Sequence, residues 1–380
     1  MKILYFYPEN LLIQNQGNNA RALALLHYFK NRKIEVDLVS CGSNKFTTKE
    51  IQELQSKNLL KNVFLMPNFK ASKQPITYLF KYKLPNKILQ KPKRFYNVKP
   101  GVQAKFNEVL KANTYDVIVI SYACWASLVI DNPYTKNTKL IIDTHDFLTS
   151  QYQNTKNFKL GKFFETEIKL LSYFKEILVV SVEERYIFSQ FCKNSKVSMV
   201  THTLPTKHNF TGLNTKYDII YVASANNHNV KAAKWFFNEV YPLLSKNISI
   251  LVIGKIAEHV PDFDNVEKIN FVETLDNFYQ QSKIAICPMF SGTGLKIKVV
   301  EALSFGLPLV CNEAGVDGLL NKSNNGCLVT NNANNFAANI EKLLLDTIFY
   351  KKIQQQAKDY FIDSHSDQNQ YQKLDEIFLK

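Results

Sequence analysis

What this chain lacks narrows it first. Its six cysteines (Cys41, Cys124, Cys192, Cys287, Cys311 and Cys327) show no C-x-x-C spacing, and several sit in apolar runs such as Ile284-Ala285-Ile286-Cys287. A zinc site or a disulfide framework needs clustered cysteines or a secretory context, so these read as buried thiols. Nowhere do about 18 apolar residues follow one another, the length a bilayer-spanning helix requires. The opening run, Met1 to Tyr7, is strand-like and has none of the layout of a secretion signal. No short-period repeat is visible, which argues against a solenoid. The reading is a cytoplasmic protein.

One further absence is local. Between Glu53 and Glu108 there is no Asp or Glu, while twelve lysines and arginines fall inside: Lys57, Lys61, Lys70, Lys73, Lys81, Lys83, Lys87, Lys91, Lys93, Arg94, Lys99 and Lys105. The whole chain carries a formal net charge of +14, so most of it is concentrated here. Phe69, Tyr78, Phe80, Tyr82, Phe95 and Tyr96 are interleaved with these cations, a mixture suited to an anionic membrane interface. A solvated basic loop and a nucleic-acid contact are the alternatives. The expectation is peripheral contact with an anionic membrane through residues 68–105, at the inner face of the cytoplasmic membrane, and no nucleic acid.

With 46% hydrophobic and 21% charged residues, the 380-residue chain has the composition of a folded protein. Its length exceeds what one core usually supports, so two domains of roughly 150 to 200 residues are expected. Strand-length apolar runs alternate with helical periodicity, the pattern of parallel sheets covered by helices. The first series of strands is Lys2 to Phe6, Glu35 to Ser40, Val63 to Met66, Val117 to Ile120, Leu140 to Ile142, Ile177 to Val180 and Val197 to Val200. A Pro- and Gly-bearing stretch, Thr201 to Lys216, reads as a linker. The second series is Asp218 to Val222, Ile248 to Ile253, Lys268 to Phe271, Ile284 to Cys287, Pro308 to Cys311 and Gly326 to Val329. Helices are expected near Asn19 to Asn31, after a tight turn at Gly17, and near Val230 to Leu244, Leu275 to Gln281, Gly294 to Phe305 and Asn335 to Leu345. The domains are therefore 1–205 and 217–348, followed by a helical segment, 349–380, expected to cross back to the first domain.

The chemistry concentrates after the strand Ile284 to Cys287. There Ser291-Gly292-Thr293-Gly294 leads into a helix carrying Lys298 and Glu301. Two glycines allow close backbone approach, and amides at a helix start attract phosphate. Gly294, Lys298 and Glu301 recur at steps of four and three, on one helical face, so a cation near a diphosphate and a carboxylate one turn deeper could grip a nucleotide. An ordinary i,i+3 Lys–Glu pair is the competing reading.

The stretch GTGLKIKVVEALSFGLPLVCNEAGVDGLL resembles the donor-site segment of GT-B glycosyltransferases of the family 4 type, and IIYVASANNHNVKAAKWFFNEVYPLL with ISILVIGK resembles that family's C-terminal opening strand, helix and second strand. The likeness implies an α/β GT-B fold, two Rossmann-like domains facing across a cleft. It further implies an N-terminal acceptor-binding domain, a C-terminal nucleotide-sugar-binding domain, and a retaining, hexosyltransferase-type reaction without metal or other cofactor. The donor would be a nucleotide diphosphate-sugar and the acceptor a glycan or a lipid-linked acceptor, in cell-envelope polysaccharide or glycolipid synthesis.

Glu301 matches the second of the family's two spaced glutamates, which holds the donor ribose. Thr293 stands where the first would be. The familiar arginine is missing from Ser224 to Lys231, so Lys298, Lys255 or Lys231 would supply the charge for the diphosphate, Lys298 first. Gly17 and Asn18 fall in the loop that in the family faces donor and acceptor. The strand Leu140 to Ile142 ends in Asp143-Thr144-His145-Asp146, and the resemblance turns His145 toward the sugar and its phosphates. Its flanking carboxylates are expected to favour a charged imidazolium. A metal held by Asp143 and His145 is the alternative there. The other histidines, His228 among them, read as surface or packing residues. The catalytic set is thus His145, Lys298 and Glu301, and the donor set Gly17, Asn18, Lys255, Ser291, Gly292, Thr293, Gly294, Lys298 and Glu301. A non-catalytic GT-B-like scaffold and a UDP-sugar epimerase of the same fold are the alternative functions.

Overall fold

The computed structural model describes residues 1–13, 17–41, 46–67, 75–88, 93–99, 101–208, 215–292 and 294–380, without the side chains of 81, 82, 85, 86 and 93. The chain divides into two compact units, Met1–Val200 and Thr201–Lys380. The division falls at the start of the expected linker. Residues 349–380 cluster with the second unit.

In the first unit the strands are β1 (Lys2–Phe6), β2 (Glu35–Cys41), β3 (Asn62–Met66), β4 (Val117–Ser121), β5 (Lys139–Asp143), β6 (Glu176–Val179) and β7 (Lys196–Met199). They form one seven-stranded sheet in the order β3-β2-β1-β4-β5-β6-β7, parallel throughout. Strands such as Val117–Ser121 are buried on both faces, as expected when helices cover each side of a parallel sheet. The helix expected at Asn19 to Asn31 is described over Gly17–Asn31, and the residues just before Gly17 lie outside the described ones.

The second unit repeats the plan with β8 (Tyr217–Val222), β9 (Ile250–Ile253), β10 (Val266–Ile269), β11 (Ser282–Cys287), β12 (Leu309–Cys311) and β13 (Cys327–Val329), ordered β10-β9-β8-β11-β12-β13. These strands too are parallel. Strand β10 sits two residues earlier than the apolar pattern placed it. Its register pairs Val266 with Ile250 and Ile269 with Ile253, which leaves Phe271 beyond the ladder and 79% exposed. The expected helix Val230 to Leu244 starts earlier, capped by the Asn226 side chain on the Asn229 amide, and runs as Asn227–Trp235 before a wide π turn, Phe236–Val240, and a short 3-10 turn containing Pro242.

Helix Thr347–His365 inserts Ile353, Ala357 and Phe361 into the cores on the two faces of the second sheet. The entering segment is tied to the same end of the unit. The Thr201 amide donates to Gln370 Oε1 at 3.0 Å, and Thr201 Oγ1 donates to the Ser364 carbonyl at 2.7 Å.

Candidate functional site

In both sheets the strand order reverses beside the first strand, between β1 and β4 and between β8 and β11. Loops leaving neighbouring carboxyl ends at such a reversal diverge to opposite faces and open a crevice where ligands of open α/β sheets bind. Each unit therefore has one such reversal point.

In the second unit, the loop after β8 runs into helix Asn227–Trp235, and the loop after β11 runs through Ser291-Gly292 and Gly294 into helix Ile297–Ser304. Two helix amino ends thus meet at the crevice. The loops are stapled together: His228 Nδ1 lies 2.7 Å from Ser291 Oγ, and Lys298 Nζ donates to Asn229 Oδ1 at 2.8 Å. Asn229 in turn donates to the Ser224 carbonyl at 2.9 Å. Gly292 and Gly294 have φ of 111° and 73°, a backbone region that L side chains rarely enter. A Cβ at Gly294 would meet nothing within 4 Å, so the space over the turn is open. Lys296 holds the turn in shape by donating to the Gly292 and Gly294 carbonyls at 2.9 and 2.7 Å. Thr293 lies outside the described residues.

This geometry corrects one expectation. Gly294 is not on the helix, which starts at Ile297, so the shared face is that of Lys298 and Glu301 alone. Nor do those two pair with each other. Tyr279 Oη donates to Glu301 Oε2 at 3.2 Å, while Lys298 is turned to Asn229. Burial pushes the Glu301 carboxyl up to about 7, with the Tyr279 hydroxyl and the Lys207 charge opposing and Asp276 adding to the rise. Burial likewise lowers the Lys298 ammonium. Among the described residues no carboxylate pairs with Lys298, so a desolvated cation rests on a neutral amide.

Lys255 opens a 3-10 turn, Lys255–His259, directly after β9 and is exposed. Its placement depends on Gly254, where a Cβ would come within 2.2 Å of the Ala223 carbonyl oxygen. Lys231 is exposed on the first helix.

The first unit's crevice is built differently. Asp143 ends β5 and is gripped by Arg21, whose Nε lies 3.1 and 3.0 Å from its two oxygens and whose Nη2 lies 2.8 Å from Oδ1. Arg21 Nη1 also donates to the Val200 carbonyl at 2.5 Å. His145 follows in left-handed backbone, φ 58°, with Nε2 3.3 Å from Asp143 Oδ2 and 3.0 Å from Ser121 Oγ. Its ring stacks on Tyr122 at 4.5 Å, and Asn18 Nδ2 donates to the Tyr122 hydroxyl at 2.7 Å. Asn18 is thus linked to the His145 ring through Tyr122.

The expected imidazolium does not form. Burial lowers His145 to about 4, because Asp143 only partly offsets the loss of hydration and the Arg21 charge opposes protonation. The adjacent Asp146 is pushed up to about 7, again by burial first, with Glu184 adding to it. The buried His145 Nδ1 has no hydrogen-bond partner. Among the described residues no three His, Cys, Asp or Glu side chains gather as metal ligands.

Several residues of these crevices went unread in the sequence. His228, placed with the surface or packing histidines, is exposed but spans the reversal point to Ser291. Lys296 carried only the signal of its position beside the glycine turn, and Asn229 and Tyr279 carried none. Tyr122 owes its place to a positive φ, 67°, that no residue type announces.

Two parallel, doubly wound units in one chain, each with a ligand crevice at its strand reversal, define the GT-B class of fold. Residues 216–346, within the second unit, match the family model described as Glycosyl transferases group 1. Sucrose-phosphate synthase from Thermosynechococcus elongatus is similar over 100% of this chain and 98% of its own, at TM-score 0.71 and 13% identity. Anabaena HepE in complex with UDP is similar over 100% of both chains, at TM-score 0.69 and 12% identity. A glycosyltransferase from Rickettsia africae is similar over 99% of this chain and 97% of its own, at TM-score 0.64 and 16% identity. A comparison with curated proteins yields no match.

Proposed function

We propose that the protein is a metal-independent, retaining glycosyltransferase whose second unit binds a nucleotide diphosphate-sugar. The observation that carries this reading is Lys298, a desolvated ammonium with an amide for company, beside an open glycine turn and one helical turn ahead of Glu301. A diphosphate would supply the missing anion to Lys298 and the turn amides, and Glu301 would accept the ribose hydroxyls. Ser291, Gly292 and Gly294 would line the phosphates, with Lys255 and Thr293 as further donor contacts. Gly17, Asn18 and His145 are assigned to the acceptor and the transferred sugar. His145, neutral at physiological pH, would act there as a hydrogen-bonding group rather than a charge. HepE, a structural relative, has been crystallised with UDP and with UDP-glucose.

The loop from Pro288 to Lys296 holds no Asp or Glu, and Thr293 occupies the first-glutamate position, so it offers no carboxylate nucleophile. The step proposed is therefore attack on the sugar's anomeric carbon from the face the diphosphate leaves. The bond from that carbon to the phosphate oxygen breaks, the acceptor oxygen bonds in its place, and the acceptor proton passes to the departing phosphate. Lys298 and the amides stabilise the charge that grows on the leaving group, where preorganised donors lower a barrier most. The acceptor class is a glycan or lipid-linked glycan of the cell envelope, at the inner face of the cytoplasmic membrane.

A thermal-shift screen of nucleotide sugars tests the binding, since a ligand present at about 100 times its Kd stabilises the native state by roughly 2.7 kcal/mol. A shift with one nucleoside diphosphate-sugar, followed by a product with the donor's anomeric configuration, is expected. No shift with any would overturn the reading. The absent glutamate and arginine favour, as a second reading, a scaffold that binds nucleotide without transfer, and acceptor-free conversion of the donor would instead mark an epimerase.

A further inference from the structure

The acid-free segment between Glu53 and Glu108 holds twelve of the chain's lysines and arginines, and its described part separates into three kinds of surface. Some of the cations are already neutralised: Lys57 pairs with Glu53, Lys61 with Glu35 and Lys105 with Glu108. Some of the aromatics are core, since Phe95 is fully buried and meets Phe163 edge-on at 5.5 Å. Phe69 lies outside the described residues, as does the side chain of Tyr82.

What remains is a helical run, Pro75–Tyr78, continuing through a π turn, Leu79–Lys83, into Leu84–Ile88. It has the opposite character. Ile76 is 73% exposed, Phe80 62% and Ile88 74%, with Leu79 at 38%. Large apolar side chains normally face a core, and four exposed within fourteen residues of one run form a patch rather than scattered exceptions. Lys83 and Lys87 are exposed on the same run, and Arg94 and Lys99 are exposed just beyond it. Among the described residues no carboxylate pairs with Lys83, Lys87, Arg94 or Lys99. Along the run the exposed apolar side chains Ile76, Leu79 and Phe80 come first, Lys83 and Lys87 follow, and Ile88 closes it.

We infer that the run Pro75–Ile88 docks on an anionic lipid bilayer, with Ile76, Phe80 and Ile88 entering the headgroup boundary and Lys83 and Lys87 pairing with lipid phosphates. Charge decides the occupant. A protein partner with an apolar groove would be served by the isoleucines and phenylalanine alone, whereas this run is flanked by cations that lack acids and belongs to a segment without a single one. Such a patch is matched by a surface that is apolar at depth and negative at its rim. No helix of the described residues is long and apolar enough to cross a membrane, so the contact is peripheral. The inference stands apart from the donor site, because it uses none of the residues assigned there.

Flotation of the full-length protein with phosphatidylcholine vesicles, with and without phosphatidylglycerol, tests it. Binding to the phosphatidylglycerol vesicles alone, weakening as salt rises, is expected. Lys83→Gln with Lys87→Gln should lower the partition coefficient by roughly 25-fold, on about 1 kcal/mol per basic residue near an anionic surface. Ile76→Asp with Phe80→Asp should abolish flotation. These variants should keep the wild-type melting temperature and its rise with UDP, because all four side chains are exposed. Absence of flotation with phosphatidylglycerol, or flotation undiminished by the Asp pair, would overturn the inference. A UDP response lost while flotation persists would count against the donor site only.

Discussion

The two crevices occupy the same place in the same topology and treat charge in opposite ways. In the first unit, the buried Asp143 carboxylate is met by the Arg21 guanidinium through both oxygens, and burial leaves His145 neutral beside them. In the second, the Lys298 ammonium is desolvated and meets only Asn229. A closed ion pair contributes to a defined architecture, whereas an unmatched buried charge costs stability that a ligand of opposite sign can return. That difference is the basis on which the proposed function assigns the diphosphate to the second crevice.

Mutations can break that contrast. Arg21→Ala strands Asp143 as a buried, unpaired carboxylate, and chemical denaturation should show a loss of about 3–5 kcal/mol, enough to threaten folding. Lys298→Met should do the reverse, leaving the melting temperature unchanged or raised, because it removes an uncompensated charge. A loss as large as that for Arg21→Ala would erase the distinction. A smaller effect is expected at the glycine turn. Gly294→Ala meets no neighbour, so its cost should be that of the left-handed backbone alone, about 1–2 kcal/mol in the same assay.

pH sharpens the comparison further. The Glu301 carboxyl is raised to about 7, so the ligand-free site keeps its proton below that pH. Ribose hydroxyls donate to the carboxylate, so binding should release the proton and UDP-glucose affinity should rise as pH climbs through about 7. Calorimetry on Glu301→Gln should show a flat dependence over the same range. The smallest effect belongs to Lys255→Ala, an exposed cation at the crevice rim, whose removal should change affinity by no more than roughly fivefold.

The doubly wound architecture was largely legible in the sequence, because buried parallel strands write themselves as apolar runs such as Val117-Ile118-Val119-Ile120 between helical segments. The glycine turn was legible too, because Gly292 and Gly294 adopt the positive φ that their residue type permits, whereas the role given to Glu301 came from the family resemblance. Harder to see were features set by pairing across long separations. Arg21 and Asp143 lie far apart in the chain, so the sequence offered Asp143 only as a neighbour of His145 and pointed to an imidazolium, where the fold spends that carboxylate on arginine. His228 and Ser291 meet only because β8 and β11 are adjacent at the reversal. The expected helix Gly294 to Phe305 overshoots the observed Ile297–Ser304 by three residues at its start, since Lys296 is extended and its side chain donates to the Gly292 and Gly294 carbonyls of the loop, and by one at its end.

The most direct test of the account is titration calorimetry of UDP into wild-type protein and Lys298→Met, each with its melting temperature measured alongside. Loss of a charge-assisted contact of about 1.5–3 kcal/mol should weaken UDP binding by roughly 10- to 100-fold while the fold is no less stable. Equal affinity of the two proteins for UDP would contradict the assignment of this crevice to the donor diphosphate.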